Sequence, residues 1–183
     1  MTDTNQQYDA AVQACRDIFL KKTRDYGTSW RVLRPISIVD QIFIKAQRIR
    51  TIQEKGVHLV NDNVTDEFKG ILNYAVIGLI QNSLRSEAVE ELPVSKVEEL
   101  FDEKIAEAKR IMLDKNHDYG EAWRDMSQES FTDLILMKLM RIRQILLNDG
   151  KTLISEGIDA NFIDIINYSV FALILIAEGK HKG

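Results

Sequence analysis

Asp40, Lys45 and Arg48 stand in "DQIFIKAQR", and Asp133, Lys138 and Arg141 stand in "DLILMKLMR" at the same spacing, 93 residues later. Lysine offers a phosphate a point charge, and arginine offers a planar fork of donors. A carboxylate can hold Mg²⁺ through oxygen. On a helix, at about 100° per residue, Arg141 falls about 80° and Lys138 about 140° from Asp133. The three form a polar arc on an otherwise apolar helix, and Asp40, Lys45 and Arg48 repeat it. A second reading of the aspartates is structural: Ser37-x-x-Asp40 and Ser130-x-x-Asp133 resemble helix starts, with the acid favouring the macrodipole. The cations also read as a solvated face or as ion-pair partners.

A further set lies downstream. Asp164 and Asn167 are three apart and share a helix face with Asn161. The first copy has Glu67, Gly70 and Asn73 at the matching places, with Asp66 alongside, facing Ala160. The carboxylates are therefore asymmetric. One working site beside a weak one, and one site shared by both copies, are the alternatives. Asn73 and Asn167 also read as core amides, because a buried polar group must find a partner.

A third repeated stretch is "KTRDYGTSW", Lys22 to Trp30, against "KNHDYGEAW", Lys115 to Trp123. Gly27 and Gly120 are placed to end helices, since glycine tolerates positive φ. Trp30 and Trp123 read as core residues or as platforms for a nucleobase. Asp25, Tyr26, Asp118 and Tyr119 are candidates for ligand contact, the tyrosines by stacking and the aspartates by ordering the loop or helping to hold a cation.

The elements that must position these residues follow from periodicity. Tyr8, Val12, Cys15 and Phe19 make one apolar stripe, and Val97, Phe101, Ala108 and Met112 make another. "SKVE" at Ser95 reads as a capping box for the latter helix. A second helix carries each polar arc, and a third carries "FKGILNYAVIGLI" or "FIDIINYSVFALI". No segment alternates with period two. The expected fold is all-α: tandem three-helix repeats over residues 1–90 and 91–183, joined near Pro93 and packed with pseudo-twofold symmetry into one helical bundle.

Composition bounds the function. The formal charge is −4, with 24 basic and 28 acidic residues, which argues against broad binding of DNA, RNA or an anionic membrane. One cysteine and three dispersed histidines make neither a disulfide framework nor an expected zinc site. The first residues do not read as a secretory signal, and the run "FALILIAEG" is short for a membrane span. A cytoplasmic location is expected, and a homodimer stays open.

The combination of Lys-x-x-Asp-Tyr-Gly-x-x-Trp, Asp-x(4)-Lys-x-x-Arg-Ile and Asn-Tyr resembles the nucleotide modification associated domain 1 family, formerly a domain of unknown function, in two copies covering most of the chain. That resemblance implies a nucleotide-directed role with a small-molecule nucleotide as partner. More distantly, the chain is similar to the all-α, MazG-like nucleoside triphosphate pyrophosphatases, which use Mg²⁺ to release a nucleoside monophosphate and pyrophosphate. Their paired acids are only partly matched, by Asn161-x-x-Asp164 and Glu67-x-x-Gly70. The resemblance implies Mg²⁺ held by carboxylates drawn from Asp40, Asp133, Asp66, Glu67, Asp164 and Glu156. Lys45, Lys138, Arg48 and Arg141 would stabilise charge on the phosphate. A nucleotide-binding module without hydrolysis and a purely structural assembly domain are the alternatives.

Overall fold

The three- and four-residue apolar spacings wind into six α-helices in a computed structural model that describes residues 3–56, 63–152 and 156–183. They are α1 (Thr4–Tyr26), α2 (Pro35–Lys55), α3 (Val64–Ser83), α4 (Val94–Tyr119), α5 (Gln128–Leu147) and α6 (Ile158–Ala177). Short 3₁₀ turns, Ser29–Val32 and Ala122–Asp125, follow α1 and α4. No strand occurs among the described residues. The bundle is all-α.

The helix ends have identifiable causes. Gly27 and Gly120 close α1 and α4 at φ of 65° and 64°, a backbone region that side chains rarely adopt. Gly27 also lies against the Glu91 carboxylate, which accepts the Thr28 N–H at 2.8 Å. Asn63 and Asp66 form a reciprocal capping box at the start of α3. Two expected starts are displaced. α2 begins at Pro35 and α5 at Gln128, so Asp40 and Asp133 lie beyond the first turn. Proline at the first helical position sets φ for α2, and Ser127, rather than Ser130, caps α5. Likewise α4 begins at Val94 after Pro93, and Ser95 lies inside its first turn without capping it.

α3 and α6 pack side by side through the centre, with α2 against α3, α5 against α6 and α2 against α5. α1 and α4 flank this group. One core cluster joins both repeats and includes the fully buried Tyr8, Phe68, Phe101, Phe131 and Phe162. Burying one such side chain contributes about 1.5–3 kcal/mol. Gly78 permits the close approach of α3 and α6, because a Cβ there would lie 2.7 Å from the Phe162 ring. α6 is long and apolar enough to match a membrane span by composition, yet 78% of that window is buried in the bundle. Its composition is that of a central core helix.

Matched contacts relate the two halves. Asp40 on α2 pairs with Arg143 on α5 at 2.9 Å, and Asp133 on α5 approaches Arg50 on α2 at 3.9 Å. Asn73 donates to the Cys15 carbonyl at 3.1 Å, as Asn167 does to the Ala108 carbonyl at 3.1 Å. These two pairs of contacts match between the halves, in a pseudo-twofold arrangement.

Candidate functional site

A cavity of about 740 Å³ opens in the first half, between α1, the turn after it, α2 and α3. Lys22 from α1, Lys45 from α2 and Lys69 from α3 line it. The Lys45 ammonium lies 5.9 Å from the centroid of the Tyr74 ring, a cation–π contact. Its stem passes beside Gly70, where an added Cβ would lie 3.0 Å from Cε and 3.1 Å from Nζ. Two acids, Asp66 and Glu67, also line the cavity. Glu67 is buried and paired with Arg48 at 3.2 Å, so its charge is compensated within the protein. Among the described residues, Lys22 and Lys45 have no carboxylate partner.

Aromatic groups complete the wall. Trp30 is half-buried and tilted against Phe19 at a centroid distance of 6.2 Å. Tyr26 is 73% exposed at the cavity. Asn73 lines the same cavity, and its buried Oδ1 accepts no hydrogen bond among the described residues.

The matching place in the second half is built differently. Asp164 replaces Gly70 and is only 7% exposed. Lys138 Nζ lies 2.8 Å from one of its oxygens and Lys115 Nζ 3.0 Å from the other. Burial alone would lower the Lys115 pKa, but the hydrogen bond and charge of Asp164 outweigh it and hold the ammonium above its ordinary value. Burial raises the Tyr168 pKa, and the Asp164 charge adds to the shift. Asn167 is fully bonded here, because its Oδ1 accepts the Tyr8 hydroxyl at 2.7 Å. Burial pushes the Tyr8 phenol upward and keeps it a donor. Phe101 occupies the place matching Tyr8 and has no hydroxyl to give Asn73. Trp123 is stacked on Phe171 at 4.2 Å, with Arg124 over its ring at 4.4 Å.

Residues 22–82 and 115–176 each match the family model described as nucleotide modification associated domain 1, together more than half of the chain. The chain belongs to this family. No curated protein and no solved structure matches it. The two copies of the domain begin on Lys22 and Lys115, the lysines that reach the cavity and Asp164. The family description associates the chain with nucleotide modification.

Within the domains, the residues singled out from sequence fall into separate groups. Lys45, Asn73, Asp66, Glu67 and Tyr26 come together at the first cavity. Arg48 joins them through Glu67. Lys138 and Asp164 meet in the second copy, and Glu156 acts on Lys115 by charge alone. Asp40 and Asp133 do not join either group, being engaged across the α2–α5 contact. Arg141 is exposed and its guanidinium reaches the Met137 sulfur at 3.8 Å. Asn161 donates to the Gly157 carbonyl at 2.8 Å in its own helix. Asp25, Asp118 and Tyr119 are exposed, and Asp118 approaches His117 at 3.1 Å.

The six carboxylates expected to hold Mg²⁺ thus do not assemble, and among the described residues no three of His, Cys, Asp and Glu form a metal-binding group. The donor set does not fit a dedicated protein cage for Mg²⁺. Lys22, Lys115, Lys69 and Tyr74 belong to the sites without having been singled out. For the first two a signal existed, as they open the repeated Lys-x-x-Asp-Tyr-Gly motif.

Proposed function

We propose that the first domain copy binds a nucleotide in its cavity, as a component of nucleotide modification. Lys22 and Lys45 hold the phosphate and Trp30 or Tyr26 stacks on the base. The observation that carries this reading is a cavity lined by three lysines that have no carboxylate partner among the described residues, next to half-buried and exposed aromatic rings. Its volume lies within the usual range for small-molecule sites, about 300–1,000 Å³. Lysine supplies point charges to phosphate oxygens, and stacking on an aromatic ring adds about 1–3 kcal/mol per base.

A hydrolytic reading, release of a monophosphate and pyrophosphate with Mg²⁺, has one observation in its favour: Asp66 and Glu67 line the same cavity. Mg²⁺ is commonly held by one or two carboxylates together with substrate phosphates. The Glu67–Arg48 pair competes with that use and favours binding without hydrolysis.

The test is calorimetric titration of the ribo- and deoxynucleoside triphosphates, with and without Mg²⁺, alongside assay of released pyrophosphate and monophosphate. Saturable binding that is lost in Lys22→Ala/Lys45→Ala is expected. Absence of binding by every nucleotide would refute the reading. Product release that disappears in Glu67→Gln would establish the hydrolytic version.

A further inference from the structure

Each domain copy buries one carboxylate on its third helix, but one helical turn apart. In the first copy it is Glu67, whose matching residue is Asn161; in the second it is Asp164, whose matching residue is Gly70. Glu67 is taken by Arg48, which leaves Lys22 and Lys45 to the cavity. Asp164 is taken by the lysines matching these two, Lys115 and Lys138, at 3.0 and 2.8 Å. In the second copy a protein carboxylate thus lies between two lysines whose counterparts in the first copy line a cavity.

We infer that the Asp164 carboxylate marks the anion position of the domain: in the first copy a phosphoryl group of the ligand sits beside Gly70, between Lys22 and Lys45, while the second copy is occupied by its own side chain. This rests on the reading of the first cavity as a nucleotide site. Gly70 carries no carboxylate to compete for Lys45, whose stem packs against it, so the ammonium stays available to an external anion in the cavity. A phosphoryl group carries a charge of about −1.5 to −2 near neutral pH, which two lysines can balance. Asn73 adds an independent sign of a ligand. It is nine-tenths buried, lines the cavity and has an Oδ1 with no hydrogen-bond partner among the described residues. Its counterpart Asn167 has that acceptor filled by Tyr8.

The experiment exchanges the two states. Inorganic pyrophosphate and the nucleotide panel are titrated calorimetrically into wild type, Gly70→Asp, Gly70→Asn and Asp164→Gly, with folding checked by circular dichroism. Wild type is expected to bind one equivalent of pyrophosphate. Gly70→Asp should lose at least about tenfold in affinity, the scale of one charge-assisted hydrogen bond. Gly70→Asn fills nearly the same space without charge and should lose less. Asp164→Gly should gain a second equivalent. Equal affinities in the Asp and Asn variants, or a folded Asp164→Gly with no second site, would overturn the inference even where nucleotide binding persists. The expected pattern with pyrophosphate but with no nucleotide would uphold the anion position and refute the nucleotide reading. Failure of every protein to bind any of these anions would overturn both.

Discussion

Lys22, Lys45 and Gly70 in the first domain copy match Lys115, Lys138 and Asp164 in the second, yet the first set borders a cavity and the second surrounds a carboxylate. The helices and lysines that carry the two sets match, and so does the asparagine beside each. What differs is where the third helix places its acid. At Glu67 it meets Arg48 and leaves Lys22 and Lys45 without a carboxylate partner among the described residues; one turn later, at Asp164, it pairs with both matching lysines. The aromatic residues follow the same division, with Trp30 at the cavity and Trp123 stacked on Phe171. Duplication here has kept the scaffold while two substitutions separated an open place from a filled one.

This contrast can be broken at the lysines. Lys138→Ala removes a partner 2.8 Å from a buried carboxylate and should cost about 2–3 kcal/mol of unfolding free energy, read by denaturant titration and tempered by the remaining Lys115. Lys45→Ala, its counterpart, leaves no carboxylate stranded and should cost less than about 1 kcal/mol. Equal losses would mean that the two lysines do the same structural job.

The asparagines provide a smaller contrast. Tyr8→Phe leaves the Asn167 carbonyl as unpartnered as that of Asn73 and should lower stability by about 1–2 kcal/mol. A neutral Tyr8→Phe variant would show that the hydroxyl adds nothing at the filled site.

The second copy should also confer alkaline sensitivity. Lys115 and Tyr168 both have folded-state pKa values above their ordinary ones. A raised folded-state value contributes stability that is complete below the unfolded value, about 10 for either group, and is lost as pH rises through the folded value. Stability should therefore fall from about pH 10 upward, and Lys115→Ala/Tyr168→Phe should flatten that fall. The Lys115 side chain is 54% exposed, which keeps its share small. An unchanged slope in the double variant would contradict the assignment.

The smallest effect belongs to the reciprocal surface pairs. Asp40→Asn and Asp133→Asn should each cost at most about 0.5 kcal/mol, less at high salt, with ligand affinity unchanged. A tenfold affinity loss in either, read by calorimetry, would return these aspartates to the site.

Much of this was legible in the sequence, for physical reasons. Apolar spacing of three and four marks a helix whatever its neighbours, so the six helices and their internal repeat could be read directly. Gly70 opposite Asp164 was visible as an asymmetry of charge. The roles of Asp40 and Asp133 were not, because a single helix gives phase but not the partner across it; Arg143 and Arg50 become neighbours only when α2 and α5 pack. The starts of α2 and α4 were misplaced because serine hydroxyls competed with proline, whose fixed φ determined the outcome. Lys22 and Lys115 were visible only as the first residues of the repeated motif. Their repeated place in the motif was the available clue, and only the folded chain brings them to the third helix.

The central claim, that an external phosphoryl group takes the place held internally by Asp164, is tested most directly by a crystal structure of the protein with inorganic pyrophosphate. The account predicts a phosphate oxygen within hydrogen-bonding distance of both Lys22 and Lys45, beside Gly70, with the Asp164 pairs intact. Pyrophosphate bound elsewhere, with that position holding only solvent, would contradict it.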